Sequence, residues 1–183
     1  MGKITVVCNL TLDGVMQAPG RPDEDTRDGF EYGGWAVPYS RDAMGRLMGD
    51  TGQGALLLGR RTYEGFADFW PKQTDNPYTE VLNRQQKYVV SNTLTDPLPW
   101  ANSTVVKAAD LEELKQDQNL VILGSGELIG SIHEQIHEYK LLIHPLTLGT
   151  GRRLFNGHTA LELIDTVTTT TGVILATYRP AKN

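Results

Sequence analysis

Short apolar runs that end in glycine and lead directly into helical patterns constrain the fold of this chain most. One such run is "GALLLG" (54–59), which "RRTYEGFADF" (60–69) follows, and another is "NLVILG" (119–124), which "SGELIGSI" follows. Apolar runs of about four to eight residues are typical of strands buried on both faces, as in parallel sheets. A helix after such a strand supplies the crossover that parallel strands need. The pattern therefore predicts an α/β domain.

The remaining segments extend this alternation along the chain. We predict further strands at 3–8, 86–91, 103–108 and 139–148, and helices at 39–48, 110–116 and 127–135. Ser40 and Asp110 are the expected N-caps of the first two helices. Two β-rich runs within 161–180 pivot on Gly172, which predicts a hairpin. We expect a single domain over 1–183, with helices on both faces of a mostly parallel mixed sheet and an antiparallel C-terminal hairpin.

Composition argues against two classes of partner. The net charge is −5 and the pI is near 5.3, whereas nucleic-acid binders usually carry a basic face. No apolar stretch approaches the roughly 20 residues that span a bilayer, and the N-terminus is typical of a strand rather than a signal peptide. We expect a cytoplasmic protein without nucleic-acid or membrane partners. The single cysteine, Cys8, forms no intrachain disulfide and is expected to be buried.

Two adjacent arginines begin the helix predicted at 60–69. Arg60 and Arg61 are unfavourable at a helix N-terminus by about 0.3–1 kcal/mol each when exposed. A bound phosphate would reverse that sign, because guanidinium groups grip phosphate through charge-assisted hydrogen bonds. The alternative is a solvated pair of arginines that form ion pairs with Glu64 or Asp68. Both interpretations remain open on the residues alone.

The second junction, "VILGSGELIGS" (121–131), resembles a phosphate-binding turn without matching a standard motif. Gly130 falls one position too late for G-x-G-x-x-G, and no Lys-Ser/Thr follows as in a P-loop. Glycines at a strand-to-helix turn can also serve turn geometry alone. Two junctions of this kind in one sheet nevertheless indicate a ligand with phosphates at more than one place, as in a dinucleotide.

Several motifs, in this order, resemble the dihydrofolate reductase family. "LLLGRRTYEGFADFWP" looks like its Gly-Arg-x-Thr helix start, "KYVVSNTL" like the strand and loop that reach the adenine and 2′-phosphate of NADPH, and "VILGSGELIGSI" like its glycine pair. "NLTLDGVMQAPG" resembles the first strand and the loop that closes over the nicotinamide. "LLIHPLTLGTGRRLF" (141–155) is closer to the reductase domain of bifunctional riboflavin-biosynthesis enzymes and their stand-alone relatives. The resemblance spans residues 3 to 179 and implies a dihydrofolate reductase-like three-layer α/β/α fold.

The resemblance also implies NADPH as the cofactor and assigns residues to it. It places the cofactor's phosphates at the first helix start, at Gly59, Arg60, Arg61 and Thr62, and the 2′-phosphoryl ribose beside Ser91 and Asn92. The pyrophosphate would lie under the second junction, at Gly124, Ser125, Gly126, Glu127, Leu128 and Ile129. The nicotinamide would lie near Val15, Met16 and Ala18. The long loop 13–38 is then the lid over the site.

The residues that would act on a substrate are less sharply indicated. Asp42 lies near the position of the carboxylate that holds the pterin in dihydrofolate reductases, but the flanking sequence matches poorly, and a first-turn helix carboxylate is the alternative. Asp13 is either a turn residue before Gly14 or a substrate contact. Trp35, Tyr63 and Trp70 form either an aromatic wall for a planar substrate or part of the core.

"HEQIH" (133–137) matches the H-E-x-x-H signature of zinc proteases. On a helix, His133 and His137 would share one face, with Glu134 as the general base. A strand is expected to begin at about Tyr139, which leaves this helix little length, so we interpret the motif as exposed polar residues and expect no metal.

The resulting hypothesis is an NADPH-dependent reductase of a small, planar molecule related to pteridines, pyrimidines or flavins. The proton would come from Asp42 or from ordered water. The alternative is an NADP(H)-binding module without catalysis. Relatives of this fold are commonly dimers, so we expect a homodimer. The printed sequence contains no zinc-deaminase signature and we expect no deaminase domain, so the resemblance assigns neither folate nor the riboflavin intermediate as substrate.

Overall fold

A computed structural model of the chain describes residues 1–40, 43, 45, 46, 49, 52 and 54–181. Eight strands form one sheet: β1 (Ile4–Thr11), β2 (Ala55–Gly59), β3 (Lys87–Val90), β4 (Ser103–Val106), β5 (Leu120–Leu123), β6 (Glu138–His144), β7 (Leu161–Thr168) and β8 (Ile174–Pro180). Their order is β4-β3-β2-β5-β1-β6-β8-β7. The first six strands in this order run parallel, and β8 runs antiparallel to both of its neighbours, β6 and β7. The predicted mixed sheet with a C-terminal hairpin is confirmed.

Four helices whose bounds lie within the described residues pack on the sheet: α1 (Arg60–Phe69), α2 (Pro77–Arg84), α3 (Leu111–Asp117) and α4 (Gly126–Ser131). The bounds of α1 are those predicted. The sequence analysis missed α2, although Asn76 is a favourable N-cap and Pro77 a favourable first residue. The Asn76 side chain accepts a hydrogen bond from the Tyr78 backbone N–H at 3.0 Å. Half of the helix predicted at 39–48, including Asp42, lies outside the described residues.

Two hydrophobic cores lie on opposite faces of the sheet because side chains alternate along each buried strand. On one face, Tyr63 of α1 and Leu82 of α2 pack with residues such as Leu56 and Val89. On the other face, α3 and α4 cover a second cluster; it includes Leu111, Leu128, Ile129, Leu57, Ile122 and Cys8. The arrangement is the expected three-layer α/β/α fold, and Cys8 is buried as predicted.

Three local predictions need correction. The helix predicted at 127–135 ends at Ser131, and a separate 3-10 turn covers His133–Gln135. The strand predicted to reach residue 148 ends at His144, where Pro145 removes the next backbone N–H. Asp110 makes no side-chain cap to α3; it accepts a hydrogen bond from the Lys107 N–H at 2.8 Å, one turn earlier. None of the helices in the described part of the chain is long and apolar enough to cross a membrane.

Candidate active site

A cavity of about 1120 Å³ opens at the carboxyl ends of the parallel strands. The two strand-to-helix junctions border one side of it, and the loop 13–38 covers another. Residues at the ends of the central strands, among them Asn9, Leu123 and His144, also line it. Ligands of open α/β sheets bind at this edge, so the cavity is the candidate site.

The first junction separates its two arginines. Arg61 and Thr62 line the cavity. Arg60 does not belong to the lining and pairs with Glu64 at 3.0 Å. Successive helical residues point about 100° apart, so one arginine faces the cavity while its neighbour faces outward. The ion-pair alternative therefore describes Arg60, and Arg61 is the one directed to the cavity.

The second junction is built from unusual backbone geometry. Gly124 has φ 58°, and Ser125 has φ 60° and ψ 47°, so two consecutive residues adopt the left-handed conformation. This conformation is strained for serine and accessible to glycine. The Ser125 hydroxyl accepts a hydrogen bond from the Gly59 N–H at 3.0 Å and donates to the Leu123 carbonyl at 3.2 Å. Ser125 thereby ties the second junction to the first.

Gly126 is a point of close approach between this junction and the loop 13–38. A Cβ at Gly126 would lie 2.9 Å from Sδ of Met16. The Met16 backbone N–H in turn donates to the Arg152 carbonyl at 2.8 Å. The loop residue expected near the nicotinamide thus lies beside the junction expected to hold the pyrophosphate.

The other residues predicted to approach the cofactor divide between cavity and core. Ala18 lines the cavity together with Met16. Val15 is fully buried and forms a β-bridge with Arg153, so it anchors the loop 13–38. Leu128 and Ile129 of α4 are buried in the core and do not belong to the cavity lining.

The turn after β3 lies one strand further along the same edge. Val90 pairs with Gly59, so Ser91 and Asn92 follow a strand end next to Arg60, outside the main cavity. The Ser91 hydroxyl accepts hydrogen bonds from the backbone N–H groups of Thr93 and Leu94. Lys107 Nζ donates to the Ser91 carbonyl at 2.8 Å, which adds a cation that the sequence analysis missed.

Glu127 is surrounded by arginines from three parts of the chain. Its Oε1 lies 2.9 Å from Arg61, 3.3 Å from Arg27 and 3.6 Å from Arg152. Two further carboxylates join this cluster, because Asp25 pairs with Arg27 and Asp28 pairs with Arg152. The ion pair with Arg27 lowers the pKa of Asp25.

Comparisons with known proteins agree with this architecture. The family model described as "RibD C-terminal domain" matches residues 2–175. The chain therefore belongs to the RibD C-terminal domain family.

Two individual proteins match this RibD C-terminal domain at low sequence identity. An uncharacterized protein, YyaP, of Bacillus subtilis (strain 168) is 25% identical over 136 residues, which cover 67% of this chain and 72% of that protein. A putative riboflavin biosynthesis protein from Shewanella sp. PV-4 superposes with a TM-score of 0.65 at 20% identity, and covers 98% of this chain and 99% of that chain.

Two other solved structures share the fold. Dihydrofolate reductase from Enterococcus faecalis, complexed with NADP(H) and RAB-propyl, superposes with a TM-score of 0.66 at 15% identity over 99% of this chain and 98% of that one. A pyrimidine reductase-like protein from Corynebacterium diphtheriae gives 0.62 at 11% identity over 100% and 93%. The predicted dihydrofolate reductase-like fold is confirmed.

Within this RibD C-terminal domain, Asp13 has a structural role. Its carboxylate accepts hydrogen bonds from the Thr11 hydroxyl at 2.5 Å, the Gly149 N–H at 2.7 Å and the Leu148 N–H at 3.2 Å. The bond from Thr11, aided by the two backbone N–H groups, lowers the pKa of Asp13. Asp13 does not line the cavity, and its geometry agrees with the turn interpretation.

The three candidate aromatic residues do not form one wall. Trp70 lines the cavity, together with Phe66 and Phe69 of α1. Tyr63 lies in the core, where its hydroxyl accepts a hydrogen bond from the Trp100 backbone N–H at 3.1 Å. Trp35 is buried within the loop 13–38 and donates from Nε1 to the Gln17 carbonyl at 2.7 Å.

His144 is a buried titratable residue of the cavity that the sequence analysis did not single out. It is 1% exposed, and its Nε2 lies 2.9 Å from Oδ1 of Asn9. Trp35 and Tyr39 contact the imidazole edge to face, at 5.2 and 5.5 Å between centroids. Burial lowers the pKa of His144 to about 4, so the ring is neutral near pH 7.

Glu24 brings a second missed group to the cavity, from the loop 13–38. Its Oε2 accepts hydrogen bonds from the backbone N–H groups of Gly20 at 2.7 Å and Arg21 at 3.2 Å. Within the part of the chain that the structure describes, no hydrogen bond reaches Oε1. Burial raises the pKa of this carboxyl. The sequence does not distinguish Glu24 as a cavity residue, because it lies in a charged stretch that is typical of a solvated loop.

Residues 133–137 do not form the α-helix that the H-E-x-x-H motif requires. His133 lies in the 3-10 turn after α4, and His137 precedes β6. His137 Nδ1 accepts a hydrogen bond from the Ile4 backbone N–H at 3.2 Å. The two histidines therefore do not share a helical face. No group of three potential metal ligands occurs among the residues described.

Proposed function

We propose that this protein is an NADPH-dependent reductase of a small, planar heterocyclic molecule. The observation that carries the proposal is the cavity at the strand ends, which Arg61 and Thr62 border from one junction and Gly124–Glu127 from the other. Family membership supports a reductase, and the structural neighbour from Enterococcus faecalis is a reductase complexed with NADP(H).

The residues fit a dinucleotide in shape and in charge. The backbone is left-handed at Gly124 and Ser125, where the turn lines the cavity. Gly126 has no side chain, and a Cβ there would clash with Met16. Arg61 would hold the diphosphate, and Thr62 would add a hydroxyl donor. Arg60, Ser91 and Lys107 would hold the 2′-phosphate at the neighbouring strand end. NADPH, when bound, supplies the hydride.

The protein's own groups would orient the substrate and supply the proton. Phe66, Phe69 and Trp70 give the cavity an aromatic side that suits a planar ring. Loop 13–38 would cover the reacting groups and exclude water. We propose Glu24 as a proton donor beside the earlier candidates Asp42 and water, because its raised pKa keeps the carboxyl protonated to a higher pH.

Equilibrium titration with NADPH and NADH, followed by an assay of NADPH oxidation with pteridine, pyrimidine and flavin compounds, tests this function. We expect NADPH to bind in the micromolar range, more tightly than NADH, and one compound class to be reduced. Absence of binding by either cofactor below millimolar concentration would refute the proposal. Tight NADPH binding without turnover of any reducible compound would favour the non-catalytic module instead.

We further propose that the protein is a homodimer in which β7 takes part. β7 is an edge strand, and edge strands expose unpaired backbone groups. Leu163 and Ile164 on β7 are 51% and 48% exposed, and Ile174 on β8 is 37% exposed. Light scattering should give twice the 20.2 kDa chain mass, and a monomer mass at micromolar concentration would contradict the proposal.

A further inference from the structure

The carboxylate of Glu127 is the anion at the centre of an arginine cluster formed by Arg27, Arg61 and Arg152. Arg27 comes from the loop 13–38, Arg61 from α1 and Arg152 from the loop after β6, and all three reach the same oxygen, Oε1 of Glu127. Three guanidinium groups that converge on one point form a site for an anion with several oxygen atoms.

The charges of this cluster are already balanced. Glu127, Asp25 and Asp28 supply three negative charges against three arginines. A diphosphate that entered without any rearrangement would meet the Glu127 carboxylate at the same guanidinium nitrogens, and like charges at such distances repel. The diphosphate and the Glu127 carboxylate therefore compete for one set of donors.

The side chain of Glu127 is exposed enough to leave the arginines when another anion binds. Its side chain is 71% exposed, and its ion pairs are partly solvated, since Arg61 is 51% and Arg152 41% exposed. Exposed ion pairs of this kind each contribute little, because water screens their charges. The three pairs together are strong enough to lower the affinity for an anion and weak enough to be exchanged.

We infer that Glu127 is an internal competitor for the diphosphate of the cofactor and sets how tightly that cofactor binds. The inference rests on the proposed function, and it goes beyond that function because it gives Glu127 a role opposite to that of a binding residue. Removal of its charge strengthens binding, whereas removal of a binding residue weakens it.

Glu127→Gln tests the inference, with NADH as the main probe because NADH carries the diphosphate without the 2′-phosphate. We expect the affinity for NADH to rise about tenfold, and the affinity for NADPH to rise by the same factor, because the exchange occurs at the diphosphate that both share. Glu64→Gln is the matched control. It removes the same charge from the lining of the same cavity, but Glu64 pairs with Arg60, so NADH affinity should change less than about twofold.

An unchanged or weaker NADH affinity in Glu127→Gln would overturn the inference, as would an equal gain in Glu64→Gln. If the wild-type protein bound neither cofactor, the proposed function would fail on its own. Inorganic pyrophosphate then tests the arginine cluster separately: Glu127→Gln should show a larger thermal stabilisation by pyrophosphate than wild type, and an equal or smaller one would refute competition.

Discussion

The two ends of the cavity are constructed differently. The junction end (Gly59–Thr62 and Gly124–Glu127) uses short turns at the ends of adjacent parallel strands, and one hydroxyl, that of Ser125, joins the two turns. The lid end (the loop 13–38 with Asn9 and His144 beneath it) uses buried and half-buried polar side chains that lie far apart in sequence. Asn9 and His144, for example, are 135 residues apart.

We infer from this difference that the two ends of the cavity serve different functions. The junction end offers backbone groups and guanidinium groups in a form set by the sheet, which suits a ligand with fixed phosphates. The lid end holds groups whose pKa values are shifted by burial, namely His144 and Glu24, which suits proton transfer and substrate selection. Changes at the lid end should therefore alter the pH dependence of the protein, and changes at the junction end should alter cofactor affinity.

The largest expected effect concerns His144 and acid stability. The pKa of His144 is about 4 in the folded protein against 6.5 for an ordinary histidine, so the unfolded chain takes up a proton first as the pH falls. The contribution of His144 to the free energy of unfolding is fully present above pH 6.5. It is lost as the pH falls to 4, by about 3 kcal/mol at about 1.4 kcal/mol per pKa unit.

Urea unfolding at pH 7 and pH 4 measures this loss. His144→Gln should lose about 3 kcal/mol less between the two pH values than wild type does. The exposed His158 provides the control, since His158→Gln should retain the wild-type pH dependence. Equal pH dependence in wild type and His144→Gln would show that His144 is not the acid-sensitive group.

The second prediction tests Glu24 as the proton donor. Glu24→Gln should lower kcat about a hundredfold, because general acid catalysis contributes roughly that factor or more. Wild-type kcat should fall as the pH rises through the pKa of Glu24, and this decline should vanish in the variant. A Glu24→Gln enzyme with the wild-type pH profile would leave Asp42 or water as the donor.

The third prediction separates the two arginines of the first junction. Arg61→Ala should weaken NADPH and NADH alike, by about tenfold, because Arg61 faces the cavity. Arg60→Ala should weaken NADPH by about tenfold and NADH by less than twofold, because Arg60 lies next to the turn after β3. Titration of both variants with both cofactors gives the comparison, and equal losses of NADPH and NADH in Arg60→Ala would exclude it from the 2′-phosphate site.

The smallest effect is expected at Ser125. Ser125→Ala leaves the Gly59 N–H without its hydroxyl partner and should cost about 1 kcal/mol in the free energy of unfolding. Ser131→Ala serves as the control, because the Ser131 hydroxyl bonds only to the nearby Leu128 carbonyl. A loss at Ser125 no larger than the loss at Ser131 would show that the two junctions are not coupled through this hydroxyl.

The same contrast explains what could be predicted from the sequence. The sheet, the bounds of α1 and the two junctions follow from local patterns, because an apolar strand, a glycine and a helix start are adjacent in the chain. The separation of Arg60 from Arg61 follows from helix geometry once α1 is known.

The lid end could not be predicted in this way. Besides its local bond with Thr11, Asp13 accepts hydrogen bonds from backbone groups 135 and 136 residues away, and no local pattern specifies such partners. Tyr63 lies on α1 and Trp70 directly follows it, yet only the packing of this segment against the sheet decides that Tyr63 is core and Trp70 lines the cavity. Glu24 resembles its solvated neighbours until the loop folds over the cavity.

Hydrogen–deuterium exchange with and without NADPH tests the central claim most directly, namely that the two junctions form one cofactor site. Saturating NADPH should slow exchange of backbone amides in both 59–63 and 124–129, with a smaller effect in 161–180, which lies away from the cavity. Protection confined to one junction, or no protection at either while NADPH is bound, would contradict it.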